Sequence, residues 1–179
     1  MNGLPLHPAI VHLPLGLALV IPLAAALVVW LAWRRPLDAR GRLARGPLTA
    51  LIVAQAMLVG GGLLAEQAGE TDEERVEAVV PEAALETHEH GAERFVLAGA
   101  LTLGGLAAAW LLSSRPKAAR PVLTVAALGT VAVLALGLSV GHSGGALVYQ
   151  HGAASAHIQT ATGSTAPAVP TRGHDDGDD

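Results

Sequence analysis

The chain has 179 residues, of which 51% are hydrophobic and 15% charged, whereas soluble domains carry about a quarter charged residues. It contains no Cys, which excludes disulfides, thiolate metal sites and covalently attached c-type haem. The net charge is −4 and no basic patch is present to neutralise phosphates, so nucleic acid is not an expected partner.

The chain opens with "LPLHPAIVHLPLG" at residues 4–16, which contains His7 and His12. Pro8 restricts His7 to extended backbone, and Pro14 suits a first helical turn, where its missing N–H is not needed. His12 is therefore expected just before or at the cap of a helix. An apolar run follows at about 13–33, with Arg34 and Arg35 after it and no positive charge before it. A cleavable signal peptide has the reverse arrangement. Further apolar runs lie at about 47–65, 95–113 and 121–141. Each holds about 20 residues and spans roughly 30 Å as a helix, the thickness of a bilayer's hydrocarbon core. The expected fold class is an all-α integral membrane protein, an antiparallel four-helix transmembrane bundle occupying residues 1–153.

Between the first and second runs lie Arg34, Arg35, Arg40, Arg42 and Arg45, and between the third and fourth lie Arg115, Lys117 and Arg120. These two loops hold eight of the eleven basic residues, which assigns both to the cytoplasm. Trp30, Trp33 and Trp110 fall at helix ends beside them, where amphipathic rings favour the headgroup region. Both termini and the acidic loop 66–92 are then expected outside, with a partly amphipathic surface helix at about 70–80. The tail 154–179 is rich in Ala, Thr, Gly and Pro, ends in acid, and reads as disordered.

All eight histidines fall in segments assigned to the outer side: His7 and His12 before the first span, His88 and His90 before the third, and His142, His151, His157 and His174 after the fourth. His157 and His174 belong to the tail. In "GHSGGALVYQHG" (141–152), Gly141, Gly144 and Gly145 are expected to end the fourth helix, and "ALVYQHG" to return across the outer face with His151. Helix ends distant in sequence would then share one site. The second helix offers no histidine there and supplies Glu66 and Gln67.

Spacing removes several chemistries. "HEHGA" (88–92) lacks the second histidine of H-E-x-x-H. The paired Glu-x-x-His of di-iron bundles is missing at His88 and His90, and neither a nucleophile elbow nor a phosphate loop occurs. Two readings remain. In one, histidine pairs hold the iron of a b-type haem between helices. Gly99, Gly104, Gly105, Gly137 and Gly141 would leave room for the ring, or serve close helix packing. In the other, three or four histidines with Glu89 or Glu66 hold a bare Zn or Cu ion. Transport of that ion calls for polar groups within the spans, where Gln55, Thr102, Thr124 and Thr130 form only a thin set.

"LHPAIVHLPLG" and "GHSGGALVYQHG", with a central "HE" before the third helix, resemble a bacterial membrane-protein family, domain-of-unknown-function family 2231. The likeness covers about residues 4–153; Leu13 stands where the family pattern has Phe. It implies a small four-span protein of the bacterial inner membrane with a redox or haem-binding role. Its characteristic histidines map to His7, His12, His88, His142 and His151. The expected function is that of a haem-b membrane cytochrome in electron transfer at the outer face. His12, His88, His142 and His151 form the ligand pool, His7 is a fifth candidate, and Arg94 is placed to meet a propionate. The alternatives are Zn or Cu handling, or a structural subunit of a larger membrane complex. Expected partners are the bilayer and redox proteins.

Overall fold

A computed structural model describes residues 9–34, 43, 45–77 and 79–153, with backbone alone for 72–75. Among the described residues the fold has four long helices: α1 (His12–Arg34), α2 (Arg45–Val76), α3 (Glu82–Leu111) and α4 (Pro116–Tyr149). A 3₁₀ turn, Leu112–Ser114, joins the last two. All four are long and apolar enough to cross a membrane. Their outward faces are apolar too: Leu23, Leu101, Val125 and Leu138 are all strongly exposed, as expected of helices solvated by lipid.

The helices form a ring in which α1 packs on α2 and α4, and α3 packs on the same two neighbours. Small residues set the close approaches, because attraction between helices in lipid comes from packing and hydrogen bonds. A Cβ on Gly105 would lie 3.1 Å from Ala126 Cβ, and one on Gly99 would lie 3.2 Å from Val59 and 3.3 Å from Leu58. Phe95, the chain's one phenylalanine, is wedged between glycines of two helices. Its ring edges lie 3.7 Å from a Cβ on Gly62 of α2 and 3.1 Å from one on Gly137 of α4.

The two helical hairpins, α1–α2 and α3–α4, repeat one plan. Arg-x-x-Leu-Thr occurs at 45–49 and again at 120–124, 75 positions later. At the same offset Leu48 and Leu123, Gln55 and Thr130, and Leu58 and Val133 are all buried, and Gly62 matches Gly137. Aligning Trp33 with Trp110 pairs Ala18 with Phe95, both buried. The hairpins meet through two like clasps at the arginine-bearing end. Trp110 Nε1 donates to Thr49 Oγ1 at 3.1 Å and lies under the Arg45 guanidinium, 4.4 Å from the ring centre. Trp33 Nε1 donates to Thr124 Oγ1 at 3.3 Å, with Arg120 at 5.5 Å. Arg120 also donates to Ala32 O at 3.0 Å, capping a carbonyl in the last turn of α1.

Two sequence expectations are corrected. The expected surface helix at 70–80 is, up to Val76, the continuation of α2. The glycines of 141–145 do not end α4, which runs to Tyr149, so "ALVYQHG" does not fold back as a whole. A glycine inside a helix costs about 1 kcal/mol, and packing beside α3 together with burial of Leu147 offsets it here. The chain turns only at Gln150–Gly152, where Gly152 has φ 72°. The tail 154–179 lies outside the described residues.

Candidate functional site

The described histidines gather at the end of the bundle opposite the Trp–Arg clasps, and helix register gives each a different setting. His88 lies inside α3, seven residues before Phe95, and turns toward α4. Its Nδ1 is 2.9 Å from Ser143 Oγ. The ring lies against Gly144, where a Cβ would stand 3.0 Å from His88 Cε1 and 3.5 Å from Nδ1. Only glycine lets the imidazole rest so close to the α4 backbone.

His142 leaves α4 elsewhere. It stands two residues before Gly144, about 200° around the helix, and lines a recess of about 290 Å³ between α1 and α4. The rest of the lining is apolar: Leu15, Ala18 and Leu19 on one wall, and Leu134, Gly137, Leu138 and Gly141 on the other. His12 starts α1 three residues before Leu15 and seven before Leu19, on the stripe that forms the first wall. His12 is exposed, and His151 is half-buried just past α4. His90 is exposed and its Nδ1 pairs with Glu93 at 3.3 Å.

The structure thus separates residues that the sequence grouped together. His88 belongs to the α3–α4 seam and His142 to the α4 wall of the α1–α4 recess, while His12 is exposed one turn before Leu15 and is not part of the lining. Among the described residues, no three His, Asp or Glu side chains come together as a group able to hold a metal ion. Glu66 is half-buried at the same end of α2, and its Oε1 is out of solvent with no hydrogen-bond partner. Arg94 lies in the fourth turn of α3, with its side chain exposed. His7, His157 and His174 lie outside the described residues. Of the five glycines considered as room for a ring, Gly99, Gly105 and Gly137 are filled by neighbouring side chains, and only Gly137 and Gly141 border the recess.

Ser143 was not distinguished by its sequence. The motif "GHSGG" contains it, but the partner that gives it a role is 55 positions away. The polar residues within the spans serve packing: Gln55 Nε2 donates to Gly99 O at 3.0 Å, and Thr130 Oγ1 to Ala127 O at 2.6 Å. No curated protein and no solved structure matches the chain. The family model for predicted membrane proteins DUF2231 matches residues 3–157, and the chain belongs to that family.

Proposed function

We propose that this protein binds b-type haem at the histidine-bearing end of the bundle and transfers electrons there, on the outer side of the bacterial inner membrane. The observation that carries the reading is the seat of His88. Its imidazole is turned into the bundle, held at Nδ1 by Ser143, and given room by Gly144. Metal-binding histidines characteristically have the second ring nitrogen fixed in this way.

The donor set suits haem better than a bare ion. Two imidazoles and apolar walls suffice for a haem, whereas a Zn or Cu site needs three or four ligands together, and the described residues bring no such group together. The helix faces divide the ligand pool into two stations. His142 lines the apolar recess, His12 lies one turn before its α1 wall as the candidate partner, and His88 stands in the seam with α4. His151 and His7 are the remaining candidates to complete a pair with His88. Arg94 is exposed on α3 as a cation for a propionate. A bound haem would supply one-electron chemistry, and the protein's part is to bind it and exclude water.

The test is a reduced-minus-oxidised spectrum of the purified protein from haem-replete cells, with pyridine extraction. A Soret and α-band that His88→Ala and His142→Ala each diminish supports the reading. A protein without extractable haem refutes it. Stoichiometric Zn or Cu without iron would favour the metal-handling alternative. A reporter-enzyme fusion at the C-terminus tests the outward placement of the histidine end.

A further inference from the structure

Ser143 Oγ makes two short contacts, 3.0 Å to Val140 O and 2.9 Å to His88 Nδ1. A serine hydroxyl carries one proton, and the carbonyl oxygen can only accept. If the proton pointed at His88, the hydroxyl lone pairs would face the Val140 carbonyl at 3.0 Å, placing two acceptors against each other in a half-buried site. The arrangement that satisfies all three groups has Ser143 donating to Val140 O and accepting from His88 Nδ1–H. The ring's basic lone pair is then on Nε2, because a neutral imidazole has one N–H and one acceptor nitrogen.

We propose that Ser143 is a positioning residue that fixes His88 as the Nδ1–H tautomer and so assigns Nε2 as the nitrogen that takes the iron. The ligand role rests on the haem reading above; the tautomer does not. The repeat between the hairpins separates this role from a purely structural one. At the 75-residue offset Gly144 matches Gly69, but Ser143 matches Ala68 and His142 matches Gln67. The first hairpin reaches the same helical form with no hydroxyl at this place. Ser143 is thus a feature of the second hairpin alone, where it meets His88.

The experiment uses full-length protein labelled with nitrogen-15 at histidine, in detergent and without haem, above pH ~8 so that imidazole is neutral. His88, assigned by its loss in His88→Gln, is expected to show a pyrrole-type Nδ1 and a pyridine-type Nε2. Ser143→Ala should convert this signature to a mixture of tautomers, and Ser143→Thr should restore it. In the haem-loaded protein, Ser143→Ala should keep the haem but shift its reduction potential, and Ser143→Thr should reverse the shift. A wild-type His88 protonated at Nε2, or one unchanged by Ser143→Ala, overturns the role of Ser143. Wild-type protein that takes up no haem overturns the function proposed above, a result distinguishable from the first two.

Discussion

Replacing Gln55 by Leu should stabilise the protein, although Gln55 makes a hydrogen bond between helices. The side chain is fully buried. Its Nε2 donates to Gly99 O at 3.0 Å, while its Oε1 has no partner. Gly99 lies inside α3, so its carbonyl keeps its own helical bond when Gln55 is removed. The lost interhelical bond is worth about 0.6 kcal/mol in a membrane, and at most about 1.7. An unsatisfied buried carbonyl costs about 1–3 kcal/mol, and leucine removes that cost while filling a similar volume beside Leu58. The net gain is about 1 kcal/mol, roughly fivefold in the folding equilibrium. Gln55→Ala gains the same relief but opens a cavity, and should lose about 2 kcal/mol. Reversible unfolding in mixed detergent, followed by far-UV circular dichroism, measures both variants. Gln55→Leu less stable than wild type by about 1 kcal/mol or more would refute the reasoning, because Oε1 would then have a partner worth more than its burial costs.

The glycines give a paired prediction from the same assay. Gly62→Ala places a Cβ 2.8 Å from Val96 Cγ2 and should cost about 1–3 kcal/mol, whereas Gly104→Ala meets nothing within 4 Å and should gain about 0.5–1 kcal/mol. Equal effects would refute the contact argument. Trp110→Phe removes the bond to Thr49 and weakens the stacking with Arg45, costing about 1–2 kcal/mol; Trp33→Phe should cost less, since both of its contacts are longer. Gly144→Ala should push the His88 ring off α4 and change its nitrogen-15 signals while leaving circular dichroism unchanged; unaltered signals would show that the ring does not depend on this glycine.

The helices were legible in the sequence because hydropathy reports the stretch that must lie in lipid. Each expected span falls almost entirely within a helix, and the helices extend furthest past the spans at the histidine end. Hydropathy carries no signal for those extensions. Residues 66–76 are too polar to be read as membrane span, yet α2 continues through them. The glycines of 141–145 misled for a related reason: each favours a helix end by itself, and the cost is offset only by packing that the sequence does not display. That the described histidines share one end was legible from charge segregation. The division of His88 from His142 was not, because it depends on which face of α4 each neighbouring helix covers.

Phe95 and its counterpart Ala18 bear on why the two hairpins share one polypeptide. The Phe95 ring fills the space between Gly62 and Gly137. Two copies of the first hairpin would bring two alanines to that layer and leave it hollow. Two copies of the second would bring two phenylalanine rings into a gap sized for one. Either self-pairing loses packing or overfills the core, each at a cost of a few kcal/mol. The clasps at the other end would tolerate both arrangements, since each hairpin carries its own Trp, Arg and Thr. One large residue set against one small one is therefore what makes the halves complementary and ties the correct assembly to the covalent chain.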